Sequence, residues 1–164
     1  MPKCANWAVS DLPQQRKGEP MKAVLLTVVA SSLFLGAHGK DDAAKADREK
    51  LQGKWKVTSG VIDGNAIPKG QLAGELNYKG DKYSWSFGDQ SGTGTFKLDP
   101  SKNPKQLDAV PGDGPAQGQN VEHIYEIDGD ALKLCFALPG TDRPKEFKST
   151  AGSGLWLFTY KRVK

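Results

Sequence analysis

The feature that most constrains the fold is a period-two alternation of apolar and polar residues, which begins at Lys54 and recurs almost to the end of the chain. In its first instance Trp55 and Val57 alternate with Lys54 and Lys56. Successive side chains of a strand point to opposite faces of a sheet, so the pattern predicts strands with one buried and one exposed face. Clusters of Gly, Asp and Pro separate about eight such runs.

The clearest hairpin lies in the middle of the chain. Leu76 and Tyr78 precede the turn at 79–81, and Tyr83 and Trp85 then alternate with polar residues. Many short strands of this kind predict an all-β sandwich or barrel, and closure into a barrel removes the exposed edges most simply. We therefore expect an eight-stranded antiparallel up-and-down barrel preceded by a short helix. The pattern leaves open whether the interior is filled or holds a small ligand.

The N-terminal part of the chain has the pattern of a targeting segment. Met21 and Lys22 precede an uncharged apolar run at 23–35, and small residues follow at Ala37 and Gly39. This order is typical of a secretory signal peptide, which we place at 21–39. The predicted organisation, from the N terminus, is a non-native segment or long n-region at 1–20, the signal peptide, a helical lead-in at 40–52 and the barrel at 53–164. The predicted location is the periplasm or the extracellular space.

Charge and composition exclude several classes of protein. The apolar run of 13 residues would span about 20 Å as a helix, which is too short for a hydrocarbon core of about 30 Å. Residues 40–164 carry 19 basic and 17 acidic residues, interspersed, so the sequence lacks the basic stripe of a nucleic-acid-binding protein. Cys135 is the single cysteine after the leader and is expected to pack as a small apolar residue. No motif indicates a metal, a cofactor or catalytic residues.

One resemblance rests on Gly53 and Trp55 at the start of the first strand and Arg162 near the end of the last. This Gly-x-Trp signature, placed behind a short helical stretch, resembles that of the lipocalin-type (calycin) barrels. The resemblance implies that the Trp closes one end of the barrel and that the basic side chain packs across it. Such a contact combines buried apolar area with a cation–π interaction.

A second resemblance covers about residues 48–162. It rests on several segments that occur together and in order: LQGKW (51–55), KGDKY (79–83), GTFKLDP (94–100), DGDALKLCF (128–136), RPKEF (143–147) and the glycines at 152–154. The combination resembles a family of small secreted bacterial domains, abundant in planctomycetes and uncharacterised. The resemblance implies export and a lipocalin-like fold, and it implies no established activity.

Candidate ligand-binding residues follow from the predicted inner faces of the strands. His123 and Tyr125 share one dry face, where they would orient the polar end of a ligand or be satisfied by buried neighbours. Tyr83 and Trp85 form either an aromatic platform or part of the core. Arg143 lies in a polar loop, where it reaches over a barrel mouth to a carboxylate, stays solvated, or pairs with Glu146.

Two functions therefore compete. The first is an exported binding module for a small apolar or amphipathic molecule, and the alternative is a filled-core envelope domain that binds a protein partner. An enzyme ranks third, because no nucleophile–base spacing or metal-ligand set is present.

Overall fold

The computed structural model describes residues 38–164. Helix α1 spans His38–Leu51, two residues earlier than the predicted lead-in. It is followed by nine strands and one short 3-10 helix, Lys69–Gln71, between β2 and β3. The strands are β1 (Gly53–Ile62), β2 (Asn65–Ala66), β3 (Gly74–Lys79), β4 (Lys82–Phe87), β5 (Gln90–Asp99), β6 (Lys105–Pro111), β7 (Val121–Asp128), β8 (Ala131–Ala137) and β9 (Leu155–Arg162). The predicted leader and nearly all of the predicted signal peptide lie outside the described residues.

The sheet closes on itself. From β3 to β9 each strand pairs antiparallel with the next along the chain, and β1 pairs with both β3 and β9. The closing register runs from Trp55 opposite Arg162 to Ile62 opposite Trp156, with a bulge between Val57 and Ser59. The prediction of an eight-stranded antiparallel barrel behind a short helix is confirmed.

Two details of the sheet differ from the prediction. The two-residue strand β2 was not expected; it folds back on the end of β1 and pairs Asn65 and Ala66 with Ile62 and Val61. Strand β6 includes Lys105, a charged residue outside the apolar alternation, because Lys105 pairs with Tyr125. Among residues 38–164 no helix has the length and apolar character needed to cross a membrane.

Helix α1 closes one end of the barrel. Leu51 and Trp55 are fully buried there, and the Trp55 indole N–H donates to the Leu51 carbonyl oxygen at 2.8 Å. The helix packs against β5 and β7, and the Arg48 guanidinium lies 5.8 Å from the centroid of the Phe96 ring. The helix thus packs on the β5 and β7 side of the barrel end.

The long connection 138–154 covers part of the outer wall instead. Ile124 and Cys135 point outward from β7 and β8, yet they are 1% and 0% exposed. The Cys135 thiol donates to the Lys148 carbonyl oxygen at 3.7 Å, and the Lys133 ammonium lies over the Phe147 ring. The connection thus forms a second, small apolar layer, which explains why these strands carry apolar residues on both faces.

Candidate functional site

The barrel is hollow at the end opposite α1. A cavity of about 840 Å³ occupies its interior, and its lining includes the inner faces of the strands and the loop at 113–116. The deepest walls come from Leu76, Tyr78 and Tyr160, and the mouth lies near Phe87 and Trp156. The sequence left open whether the interior is filled or hollow, and this cavity makes it hollow.

Aromatic rings form a large part of the cavity wall, and glycines on the neighbouring strand make room for two of them. Trp85 and Tyr83 on β4 lie opposite Gly92 and Gly94 on β5. A Cβ atom added at Gly92 would stand 2.7 Å from the Trp85 indole nitrogen, and one at Gly94 would stand 2.7 Å from the Tyr83 ring. Each ring therefore lies across bare backbone, close to the wall, and leaves the lumen open. Both predicted residues line the cavity.

Tyrosine hydroxyls supply polar groups inside the cavity. Tyr78 and Tyr160 are 4% and 9% exposed, and neither hydroxyl hydrogen bonds to any group in residues 38–164. Burial, together with the neighbouring phenols of Tyr160 and Tyr83, raises the pKa of Tyr78 well above its ordinary 10.0. Tyr160 and Tyr83 thus lie close enough to Tyr78 to affect its ionisation, and all three phenols stay neutral at pH 7. Among residues 38–164 Arg48 Nε is the one buried side-chain nitrogen or oxygen atom without a partner, so the Tyr78 and Tyr160 hydroxyl oxygens open onto the cavity, where they are positioned to bind a guest or water.

His123 also lines the cavity and is 8% exposed. Its Nδ1 lies 2.9 Å from the Val121 carbonyl oxygen. Because a carbonyl oxygen only accepts, Nδ1 carries the proton and Nε2 is left as an acceptor. Burial, with a smaller contribution from the Arg143 charge, lowers the pKa of His123 from 6.5 to about 4, although the bond to Val121 opposes the shift. The ring is therefore neutral at pH 7 and stacks on Phe136 at 4.5 Å.

Tyr125, the predicted companion of His123, lies elsewhere. Two residues along a strand are about 7 Å apart, so the shared inner face places His123 at the cavity and Tyr125 beneath α1. The Tyr125 hydroxyl donates to Asp47 Oδ2 at 2.9 Å, and the Lys105 ammonium donates to the same oxygen at 2.7 Å. Tyr125 thus helps to close the barrel and takes no part in the cavity lining.

Trp55 and Arg162 meet at the closed end. The Arg162 guanidinium carbon is 4.1 Å from the centroid of the Trp55 ring, which is the contact the resemblance implies. Its two terminal nitrogens donate to the carbonyl oxygens of Gln52 and Lys50, at 2.7 and 2.5 Å. These carbonyls end the helix and have no partner within it, so Arg162 acts as a C-terminal cap. Gly53, with φ of +100°, makes the turn from helix to strand in a conformation that favours glycine.

Arg143 lies outside the barrel and does not join the cavity residues. Its side chain is 15% exposed and lies over the outer face of β6 and β7, paired with Asp108 and with Glu122 at 3.1 Å. It also donates to the His123 carbonyl oxygen at 2.6 Å. Arg143 thus pairs neither with a carboxylate across the barrel mouth nor with Glu146, the two partners that the sequence suggested for it. Arg143 instead fastens the connection 138–154 to the wall.

Sequence reasoning missed Tyr78 and Tyr160 as cavity residues. The alternation placed Tyr78 on the inner face of its strand, and that was the available signal. Nothing in the sequence shows that a hydroxyl lacks a partner, because this depends on which side chains face it across the barrel. The same limit applies to Gly92 and Gly94, whose role depends on the register with β4.

No three His, Cys, Asp or Glu side chains in the described range 38–164 are grouped so as to hold a metal ion. Any function has to be argued from the cavity itself. Comparisons of the chain with protein-family models, with curated proteins and with solved structures found no match.

Proposed function

We propose that this protein is a non-catalytic binding module that holds one small, largely apolar molecule inside its barrel. The observation that carries the proposal is the cavity of about 840 Å³, into which aromatic rings and unpartnered tyrosine hydroxyls project. Binding cavities for small molecules typically measure about 300–1,000 Å³ and combine apolar walls with a few polar groups. This cavity has both properties.

The polar groups inside the cavity suit a guest with one polar end. Tyr78 and Tyr160 offer hydroxyls, and His123 offers a bare ring nitrogen. These groups open onto the cavity, so water can satisfy them in the empty barrel and a guest has to offer equivalent hydrogen bonds. The gain on binding then comes from the water that the guest displaces from the aromatic walls.

The alternative of an envelope domain that binds a protein partner has weaker support. It requires a filled core and an exposed apolar patch of a few hundred Å². Within residues 38–164 the exposed large apolar side chains are Leu138 and Val163. Leu138 lines the mouth of the cavity, so its exposure also fits a role in admitting a guest.

The binding proposal is tested with Nile red, a neutral apolar dye whose fluorescence rises on transfer out of water. We expect one saturable site per barrel. Ala109 is 5% exposed and lines the cavity, so Ala109→Phe places a ring in the space the dye needs. Ala131→Phe adds the same ring at an exposed position, the first residue of β8, and serves as the control.

We expect Ala109→Phe to weaken dye binding at least about tenfold through occlusion of the cavity, while Ala131→Phe binds as the wild type does. Circular dichroism verifies that both variants are folded. Equal binding by both variants, or no saturable binding by the wild type, contradicts the proposal. Native mass spectrometry of the protein purified from its own host then identifies any molecule already bound.

Export is the second part of the proposal, and it rests on the sequence pattern at 21–39. We expect cell fractionation to recover the protein outside the cytoplasm, and N-terminal sequencing to begin at Lys40. A chain that begins at Lys40 still contains Asp47 and the other residues that close the barrel end. Recovery in the cytoplasm with residues 21–39 intact contradicts this part and leaves the binding proposal standing.

A further inference from the structure

The charges around the cavity all have one sign. Its lining includes the carboxylates of Asp89 and Asp113, which are exposed at the mouth, and no lysine or arginine. Glu75 also borders the cavity, but its side chain lies on the outer face of β3, between the inward residues Gly74 and Leu76 and opposite Lys56. Asp113 Oδ2 accepts hydrogen bonds from the Thr93 backbone N–H at 3.0 Å and from its hydroxyl at 2.8 Å, so this carboxylate is held in place. The negative charge of Asp113 also contributes to the raised pKa of Tyr83, which places its field inside the cavity.

The walls of the cavity favour a cation more than an anion. Eight aromatic side chains line it: Tyr78, Tyr83, Trp85, Phe87, Phe136, Trp156, Phe158 and Tyr160. The face of an aromatic ring carries partial negative charge, and each ammonium–ring contact contributes about 0.5–2 kcal/mol, with the larger values where water is excluded. An anionic head group would meet these faces, and the carboxylates at the mouth, without a compensating cation.

The polar groups deeper in the cavity are able to accept hydrogen bonds. His123 Nε2 has no proton at pH 7, because Nδ1 holds it for the Val121 carbonyl oxygen. Tyr78 and Tyr160 are 4% and 9% exposed as residues, and their hydroxyl oxygens, which open onto the cavity, make no hydrogen bond within residues 38–164. Each hydroxyl oxygen has lone pairs free to accept from an N–H donor. An ammonium group has donors for all three positions and no acceptor of its own.

We infer that the guest is an apolar molecule that carries a protonated amine, and that the mouth carboxylates and the aromatic walls select it over a neutral or acidic molecule of the same size. This inference rests on the proposed binding function and names its ligand class. Electrostatic attraction at the mouth also raises the local concentration of a cationic guest.

Three probes with the same ten-carbon chain test the inference: decylamine, 1-decanol and decanoate. Each is titrated into the full-length protein by isothermal calorimetry at pH 7 and low salt, below its critical micelle concentration. From the cation–π and charge terms we expect decylamine to bind at least about tenfold more tightly than decanoate, with decanol between them. Decanoate binding as tightly as decylamine overturns the inference and leaves the binding function intact. Binding by none of the three overturns the proposed function as well.

Charge-neutral variants assign the preference to the mouth. The test variant combines Asp89→Asn and Asp113→Asn. The control combines Asp142→Asn and Glu146→Gln, which removes the same charge from exposed positions that do not line the cavity. We expect the mouth variant to weaken decylamine about fivefold with decanol unchanged, since only the amine is attracted by the mouth carboxylates. Unchanged decylamine affinity, or an equal loss in both variants, overturns the role of the mouth carboxylates.

Discussion

The buried carboxylate of Asp47 gives the sharpest test of how the barrel is closed. Asp47 is 4% exposed and lies on α1, where one of its oxygens accepts from both the Lys105 ammonium at 2.7 Å and the Tyr125 hydroxyl at 2.9 Å. It thereby joins the helix to β6 and β7. Replacing it in Asp47→Ala removes both bonds and leaves a buried phenol without an acceptor.

The size of the effect follows from the exposure of the two partners. Tyr125 is 1% exposed, so its orphaned hydroxyl costs about 1–3 kcal/mol. The Lys105 side chain is 41% exposed and returns to water, so the loss of its ion pair adds less than about 1 kcal/mol. We expect Asp47→Ala to lower the free energy of unfolding by about 2–3 kcal/mol. Tyr125→Phe removes the phenol with the ring in place and should cost about 1 kcal/mol.

A double-mutant cycle separates this mechanism from a general loss of packing. In the Tyr125→Phe background no hydroxyl is left to lose its acceptor. Asp47→Ala should therefore cost about 1–2 kcal/mol less in that background than in the wild type. Urea denaturation followed by tryptophan fluorescence measures all four proteins. Additive effects, or a single-variant loss below about 0.5 kcal/mol, refute the assignment.

The pH dependence of the same variant has a defined sign. Burial alone would raise the pKa of Asp47, but the bonds from Lys105 and Tyr125 and the charges of Lys105 and Lys50 hold the pKa below its ordinary 3.8. A carboxyl whose folded pKa is depressed stabilises the fold above its unfolded pKa, and the stabilisation is lost as the pH falls through the folded pKa. The stability difference between wild type and Asp47→Ala should therefore be full at pH 7 and shrink in acid.

Three further predictions concern other parts of the barrel. The pKa of His123 falls from 6.5 in the unfolded chain to about 4 in the folded protein. The free energy of unfolding of the wild type should therefore fall by about 3 kcal/mol between pH 7 and pH 4. Denaturation measured at the two pH values should show no such loss for His123→Gln. Arg162→Met removes the cap on two helix carbonyls and the contact with Trp55. The thermal midpoint of this variant should fall by an amount that corresponds to about 2 kcal/mol of unfolding free energy. Lys161→Met, at the exposed neighbouring residue, is the control and should be nearly neutral. Gly94→Ala presses a methyl group onto the Tyr83 ring and, closer still, onto the Val110 carbonyl oxygen, so it should lower the free energy of unfolding by about 1–3 kcal/mol. Gly70→Ala, whose added methyl group meets nothing within 4 Å, should be neutral in the same urea titration. Equal effects of the two substitutions would contradict the close approach of Gly94 to Tyr83 and Val110.

The architecture was predictable because each strand signals its own inner face. The alternation around Tyr83 and Trp85 and the turn before them define a hairpin without reference to the rest of the chain. The contact of Trp55 with Arg162 was expected on a different ground, the resemblance to the lipocalin-type barrels, and the pairing of the first and last strands brings the two residues to the same register position. Local patterns and the need to close the edge strands were sufficient for the architecture alone.

The errors fall where a residue's environment is set by distant parts of the chain. Cys135 is buried, in agreement with its expected packing as a small apolar residue, but it points outward, and its cover comes from the connection 138–154 through the carbonyl oxygen of Lys148. The sequence placed Arg143 in a polar loop, but the connection 138–154 brings it to Asp108 and Glu122 on the outer wall. Periodicity predicts which face a side chain occupies, and it does not predict what covers that face.

The division between a closed end and a hollow end explains why the interior could not be judged from aromatic content alone. At the closed end Trp55 fills space and is fully buried, because α1 supplies a layer above it. At the other end Trp85 and Tyr83 are equally large, but they lie over glycines and remain partly exposed to the cavity. A large ring therefore fills a barrel or lines it according to the residue opposite, and the cross-strand pairs decide between the two outcomes. The aromatic residues of the open end therefore keep surface toward the cavity, where a guest can contact them, whereas Trp55 at the closed end has none.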